Sequence, residues 1–176
     1  MVKILDNFLD IESFQKLQLA MMENPDFPWH YNDFVDYHEK RNELDTFQFE
    51  HWFYRLPTGS ISTFMDIVEP ILDLLDDVAM WRIKANLLTR TQDIVENEFH
   101  IDIGNLKDSP KKLKQWTTAI FYVNTNNGYT KFETGEVVES VKNRMVTFPS
   151  DTRHTGTSCS DEKVRIVITF NYFSSK

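Results

Sequence analysis

The sequence contains little cysteine and no long hydrophobic run. Cys159 is the single cysteine among 176 residues, which excludes an internal disulfide framework and a zinc site built from thiolates alone. No apolar stretch reaches the roughly 20 residues of a membrane helix. The N-terminal stretch MVKILDNFLDIESF lacks the basic start and apolar core of a signal peptide. These absences predict a cytoplasmic protein without a membrane-spanning segment.

Positive charge is also scarce. The formal net charge is -8 at pH 7, and residues 1–88 carry 7 basic and 16 acidic side chains, against 12 and 11 in residues 89–176. Because phosphate contacts require clustered Lys and Arg, this balance disfavours a nucleic-acid partner. The near-neutral second half is where an anionic small molecule is least repelled.

Apolar and aromatic residues that can form a core are plentiful, and the length suits one domain over residues 1–176. Residues 1–79 are predicted to form mostly helices and loops that support the rest of the domain. Apolar residues at helical spacing predict a helix over 10–23, capped by Asp10, and another over 61–76 that Pro70 interrupts. Between them, residues 27–59 are rich in aromatics and lack a clean period, with a short strand predicted near 47–54.

Residues 80–173 predict a β-core. Alternating, β-branched and aromatic stretches separated by turn residues predict seven strands, which favours a sandwich or barrel. The predicted strands are 80–89, 99–103, 116–125, 129–133, 136–141, 144–148 and 163–173.

The stretch EFHIDIGN contains the first candidate site. In a strand, residues i and i+2 point to the same face, so His100 and Asp102 converge. An imidazole and a carboxylate side by side suit a divalent metal such as iron(II). Taken alone, however, a His-x-Asp tripeptide is more often a surface pair.

Two downstream residues extend this pattern. FPSDTRHTGTS places His154 just after a strand that ends at Phe148, and the final strand carries Arg165 and Thr169 on one face. An arginine facing a β-core is costly without an anion. That anion is either a protein carboxylate or the carboxylate of a ligand.

The order of these motifs resembles the iron(II)- and 2-oxoglutarate-dependent oxygenases, in the prolyl 4-hydroxylase-like branch that includes small bacteriophage members. The resemblance covers about residues 81–173. It includes AIFYVNTNNGYTKFE, in which Tyr122, Asn124, Gly128 and Phe132 match a motif of the branch. The resemblance implies a mainly β fold: a double-stranded β-helix, or cupin-like jelly-roll, with N-terminal helices. For a phage-encoded protein, the location would be the host cytoplasm.

The resemblance also implies roles for individual residues. The iron ligands would be His100, Asp102 and His154. Arg165 would pair with the distal carboxylate of 2-oxoglutarate, Tyr122 would donate a hydrogen bond to it, and Thr169 would add a hydroxyl. The implied reaction couples decarboxylation of 2-oxoglutarate to succinate and CO2 with O2-dependent hydroxylation of an unactivated C–H bond. Ascorbate is a candidate reductant.

Three matters stay open at this stage. The primary substrate is a peptide, a protein or a small molecule, with a peptidyl prolyl or other amino-acid side chain as the nearest suggestion. The alternative is a non-catalytic binding protein of the same fold with a vestigial or non-redox metal site. The branch's tyrosine before the His-x-Asp motif is missing, with Leu88 or Arg90 near that place, so the cosubstrate pocket must differ there. Asn86 either lines the pocket instead or makes a local hydrogen bond within its strand.

The aromatic segment 27–59 either plugs the open end of the barrel as core or closes over the substrate once iron and 2-oxoglutarate are bound. Its acidic side chains further favour a polar or cationic substrate. They are Asp33, Asp36, Glu39, Glu43 and Asp45.

Overall fold

The computed structural model describes residues 1–35, 47–104 and 109–174. Asp36, Glu39, Glu43 and Asp45 lie outside the described residues, as does the middle of the predicted substrate cover. Of the aromatics in that segment, Phe27 and Phe53 are buried in the core and Tyr31 is exposed. None of the helices in the described ranges has the length and apolar character that crossing a membrane requires.

The described residues form eleven strands and three short or medium helices. The strands are β1 (Lys3–Asp6), β2 (His30–Asn32), β3 (Gln48–Arg55), β4 (Gly59–Ser60), β5 (Asp77–Thr89), β6 (Trp116–Tyr122), β7 (Tyr129–Phe132), β8 (Val137–Glu139), β9 (Arg144–Pro149), β10 (His154–Gly156) and β11 (Val164–Ser174). The α-helices are α1 (Ile11–Met22), α2 (Glu69–Leu72) and α3 (Pro110–Leu113), and a 3-10 turn spans Met65–Ile67.

Two antiparallel sheets face each other. The large sheet has the order β1-β9-β6-β11-β5-β3-β2, with β4 paired to β3, and the small sheet has the order β10-β7-β8. An apolar layer lies between the sheets, with Phe132 and Val138 from the small sheet against Ile120, Tyr122 and Val167 from the large one. This arrangement is the predicted double-stranded β-helix.

The outer face of the large sheet is covered by α1. Phe14, Leu17 and Met21 recur at helical spacing, and all three are buried against strand residues that include Phe121 and Ile168. Both faces of β11 are therefore buried, which explains its nearly continuous run of apolar residues. The inner face of the sheet is left to form the site.

The helix predictions are partly confirmed. α1 begins where predicted, and the Asp10 carboxylate accepts hydrogen bonds from the backbone N–H groups of Glu12 and Ser13. The helix predicted over 61–76 with a kink or break at Pro70 is too long, since only the 3-10 turn and α2 form there. Pro70 lies in the first turn of α2, where its missing N–H leaves no intrahelical bond unmade.

The strand predictions hold except at one place. Six of the seven predicted strands form with shifted ends, but residues 99–103 do not form a strand; His100 makes only an isolated bridge to His154. Residues 1–79 also contain β1, β2 and β4, which were not predicted. The strand predicted near 47–54 is β3, and it pairs with β5.

Candidate functional site

Two backbone hydrogen bonds bring the predicted histidines together. The N–H of His100 donates to the carbonyl of His154 at 2.9 Å, and the reverse bond measures 3.0 Å. His154 begins β10, so this bridge attaches the irregular segment after Glu98 to the edge of the small sheet. His100 and Asp102 thus converge through a bridge and a bend rather than through the alternation of a strand.

The three predicted metal ligands meet at one point. Asp102 Oδ1 lies 3.7 Å from Nε2 of His100 and 3.9 Å from Nε2 of His154. One ligand atom from each residue lies within 4.8 Å of the others. An octahedral ion with bonds of about 2.1 Å separates neighbouring ligand atoms by about 3 Å, so ligation requires only small movements.

Backbone carbonyls orient both imidazoles. Nδ1 of His100 lies 3.1 Å from the carbonyl of Glu98, and Nδ1 of His154 lies 3.2 Å from that of Thr152. A proton on each Nδ1 satisfies these bonds and presents Nε2 of each ring toward Asp102 as a lone pair. Burial lowers the pKa of His154 to about 4, so this imidazole is neutral at pH 7, as a metal ligand must be.

Asp102 is held by two residues that sequence reasoning missed. Arg82 Nη2 donates to Oδ1 at 2.8 Å, and Asn171 Nδ2 donates to Oδ2 at 3.0 Å. Burial by itself raises the pKa of Asp102, but the charge of Arg82, the two histidines and the Asn171 hydrogen bond outweigh it and hold that pKa below its usual range. Asp102 is therefore an ionised carboxylate.

Arg165 is a buried cation without a protein carboxylate. Its side chain is only 2% exposed. Nε donates to Ser140 Oγ at 2.8 Å and Nη2 to Thr130 Oγ1 at 3.3 Å, while the guanidinium lies 5.7 Å from the centre of the Tyr122 ring. No acidic residue of the described ranges forms an ion pair with it. Of the two anions that the sequence left open, a ligand carboxylate fits.

The motif after β6 has a structural explanation. Asn124 accepts from the N–H of Ile166 and donates to the carbonyl of Val164, which fixes the start of β11. A Cβ at Gly128 would lie 2.7 Å from Cδ of Arg165 and 2.6 Å from the carbonyl oxygen of Ser158. Both distances are too short for a real Cβ, so Arg165 can keep its present position only if residue 128 is glycine.

A cavity joins the metal-ligand cluster to Arg165. The residues of the cluster and Arg165 line this cavity, together with the inner faces of β5 and β11. Three of the inner residues of β5 are polar: Arg82 contacts Asp102, Lys84 pairs with Glu50 at 3.2 Å, and Asn86 presents its carboxamide. No described residue donates a hydrogen bond to the buried Oδ1 of Asn86, which indicates that a polar ligand or water belongs beside it.

The remaining predicted residues lie around the Arg165 end. Thr169 lines the cavity, as does Asn86. Tyr122 is fully buried behind it, and its hydroxyl donates to Thr130 Oγ1 at 2.8 Å. Because Thr130 Oγ1 accepts from both Tyr122 and Arg165, its own proton is available to a ligand in the cavity. Thr130 and Ser140 carried no sequence signal, since β-strand hydroxyls are common.

Comparison with protein-family models finds no match, and comparison with curated proteins finds none either. Solved structures do match. An oxidoreductase of the 2OG-Fe(II) oxygenase family from Burkholderia pseudomallei has a TM-score of 0.66 at 12% identity, over 98% of this chain and 84% of that one. A prolyl-4-hydroxylase from Pseudomonas putida has a TM-score of 0.62 at 13% identity, over 98% of this chain and 92% of that one. A prolyl hydroxylase from Trichoplax adhaerens, in complex with a hypoxia inducible factor peptide, has a TM-score of 0.59 at 15% identity, over 98% of this chain and 83% of that one.

These likenesses establish the fold. The chain has the double-stranded β-helix of the 2-oxoglutarate- and iron(II)-dependent oxygenases, and the predicted resemblance is confirmed at that level. The assignment to a small bacteriophage-type member is not tested by them and stays a prediction. The same holds for the roles of the individual site residues, which depend on the geometry alone.

Proposed function

We propose that this protein is an iron(II)- and 2-oxoglutarate-dependent dioxygenase that hydroxylates an unactivated C–H bond. One observation carries the proposal: the same cavity has a two-histidine, one-carboxylate cluster at one end and, at the other, a buried arginine that forms no ion pair with any described residue. A metal ion bound at the first end would be held by the cluster, and a dicarboxylate ligand that reaches the second end would neutralise the arginine.

The donor set fits the metal. Two neutral imidazoles and one carboxylate on one side of an ion are the facial arrangement typical of non-haem iron(II), which leaves three positions open. His100, Asp102 and His154 would hold the ion. When bound, iron with 2-oxoglutarate and O2 supplies the oxidising chemistry, and the protein supplies position and shielding.

The Arg165 end fits the distal carboxylate of 2-oxoglutarate. The guanidinium presents charge in a dry site, Thr130 offers a hydroxyl proton, and Thr169 lines the wall between that end and the metal. Tyr122 supports this end from behind by donating to Thr130, so its effect on the cosubstrate would be indirect. This revises the direct hydrogen bond that the resemblance implied for Tyr122.

The primary substrate is proposed from the fold neighbours. Two of them are prolyl hydroxylases, which favours a peptidyl prolyl or other amino-acid side chain. Another neighbour is an α-ketoglutarate-dependent epimerase of nogalamycin biosynthesis, so the fold does not fix the outcome of the reaction. The buried Oδ1 of Asn86, to which no described residue donates, supports a substrate with hydrogen-bond donors, because the 2-oxoglutarate dianion has no donor for it.

The test is succinate release from 2-oxoglutarate by the purified protein with iron(II), ascorbate and O2. We expect slow turnover without a primary substrate, and no turnover by His154→Ala or His100→Ala with retained circular dichroism. Mass spectrometry of cell-lysate peptides and metabolites after incubation would identify the substrate by the gain of one oxygen.

The alternative of a non-catalytic binding protein gives a different result. Such a protein would bind Mn2+ and the inert analogue N-oxalylglycine but release no succinate with iron(II). Succinate release equal in the wild type and in both histidine variants would refute the metal-site assignment itself.

A further inference from the structure

The hydrogen bonds of Asn171 fix which oxygen of Asp102 faces the metal. Asn171 is fully buried on β11. Its Nδ2 donates to Asp102 Oδ2 and to Thr118 Oγ1, both at 3.0 Å, while its Oδ1 accepts from Arg82 Nε. Because Arg82 can only donate and ionised Asp102 can only accept, this network allows one orientation of the Asn171 carboxamide.

The two carboxylate oxygens of Asp102 therefore differ. Oδ1 faces Nε2 of both histidines and also accepts from Arg82, which uses one of its two lone-pair directions and leaves the other for an ion. Oδ2 is turned toward Asn171. Because Oδ1 is the oxygen nearest Nε2 of both histidines, chelation of an ion by both oxygens would require the carboxylate to rotate, and this rotation would lengthen the hydrogen bond from the buried N–H of Asn171 to Oδ2.

We propose that Asn171 is a positioning residue that restricts Asp102 to ligation through Oδ1 alone. The inference rests on the proposed function, because the restriction matters only where a second ligand must chelate the same ion. With one oxygen from Asp102 and two imidazoles, three positions stay open for a bidentate cosubstrate and a third ligand. A bidentate Asp102 would occupy one of those positions and compete with the cosubstrate.

The experiment measures two affinities in the wild type and in Asn171→Leu. Mn2+ affinity is obtained from the electron paramagnetic resonance signal of free Mn2+, and N-oxalylglycine affinity from calorimetry on the Mn2+-saturated proteins. For Asn171→Leu we expect Mn2+ affinity within about threefold of wild type and N-oxalylglycine affinity lower by about tenfold, the scale of one buried hydrogen bond. The resonance spectrum of bound Mn2+ should also change before N-oxalylglycine is added.

Ser150→Ala is the matched control. It removes a buried hydroxyl at the far end of the same network, where Ser150 Oγ lies 2.8 Å from Thr118 Oγ1, and both affinities should stay at wild-type values. Asn171→Ser replaces the leucine variant if the latter does not fold, because its hydroxyl is too short to reach Asp102.

Two results would overturn the inference. Unchanged N-oxalylglycine affinity in the Asn171 variants would show that Oδ2 never competes for the ion. A parallel loss of Mn2+ affinity would show that Asn171 keeps Asp102 in place rather than limiting it to one oxygen. In both cases the wild type still binds both probes, which leaves the proposed function intact; a wild type that binds neither refutes the two proposals together.

Discussion

At the scale of single residues, Arg165 is the strongest argument that the cavity takes an anion. Removing a guanidinium from water is costly unless an anion compensates it, and two hydroxyls with an aromatic face supply only neutral partners. Burial lowers the pKa of Arg165, but an arginine remains protonated at any physiological pH. The folded protein therefore keeps a desolvated positive charge that a carboxylate ligand would neutralise.

The corresponding prediction is that Arg165→Met weakens N-oxalylglycine binding to the Mn2+-loaded protein. Loss of one partner of a buried charge pair costs about 2–5 kcal/mol, or roughly thirty- to several-thousand-fold in affinity. Mn2+ affinity itself should change little, since the metal ligands are at the other end of the cavity. Calorimetry gives both constants.

Arg55→Met serves as the control, because Arg55 is an exposed arginine over the Trp52 ring, outside the cavity. Equal N-oxalylglycine affinity in the Arg165 variant and this control would mean that the ligand carboxylate binds elsewhere.

At the scale of elements, the turn between β6 and β7 sets the position of an arginine on a different strand. Gly128 accepts a hydrogen bond from Ser140 N–H through its carbonyl and lies against the methylene groups of Arg165. Asn124, four residues earlier, is bonded to the start of β11. The cavity end at Arg165 is thus built by contacts between elements, and no single strand determines it.

We predict that Gly128→Ala weakens N-oxalylglycine binding more than it destabilises the fold. The added methyl meets the Ser158 carbonyl and the Arg165 side chain, so either the turn or the arginine must shift. Gly104→Ala is a matched control, because a Cβ there has nothing within 4 Å. If both alanine variants bind N-oxalylglycine as the wild type does, the close contact does not determine the position of Arg165.

The secondary-structure elements also show which features of the fold can be predicted from the sequence. Strands buried on one or both faces were predictable from alternation and β-branched content, as β5, β6, β9 and β11 demonstrate. The segment around His100 was not, because its position depends on a bridge to β10 about fifty residues away. The sequence still singled out the three residues that form this cluster, since their chemistry and order are distinctive.

The two residues that bind the Asp102 carboxylate were not predicted, for a related reason. Arg82 and Asn171, which are 89 residues apart in the chain, face each other across β5 and β11. Polar residues in predicted strands carry no sign of their partners until the strand register is known. The same applies to Thr130 and Ser140 beside Arg165.

At the scale of the whole molecule, stability and function use opposite faces of the large sheet. α1 and its apolar neighbours pack on the outer face, whereas the inner face carries the cavity with its charged and amide side chains. The polar lining of the cavity adds little hydrophobic stabilisation, so the apolar layer between the sheets and the outer core must supply it.

Leu17→Ala tests this separation. Leu17 is completely buried under α1, and removal of such a side chain costs about 2–5 kcal/mol in the free energy of unfolding. Urea unfolding should show that loss, while the Mn2+ affinity of the folded protein stays at the wild-type value. Reduced Mn2+ affinity under conditions where the variant is fully folded would indicate that the two faces are coupled.

The metal cluster also makes the stability of the metal-free protein dependent on pH. In the unfolded chain His154 takes up a proton near its ordinary pKa of 6.5, whereas burial lowers its pKa in the folded protein to about 4. Between these values the unfolded state binds more protons, so the free energy of unfolding falls as the pH is lowered. A difference of this size corresponds to about 3 kcal/mol, and the loss should be complete near pH 4.

Chemical unfolding of the EDTA-treated protein between pH 7.5 and 4 measures this slope. His51 contributes in the same direction, because burial lowers its pKa as well, and Asp102 loses its stabilising effect only at lower pH, since its pKa is held below the usual range. His154→Gln should therefore lose the part of the slope that His154 supplies and retain the part that His51 and the other titrating groups supply. An identical pH dependence in the variant and the wild type would show that His154 is not buried in its neutral form, and its assignment as a preformed metal ligand would fail with that result.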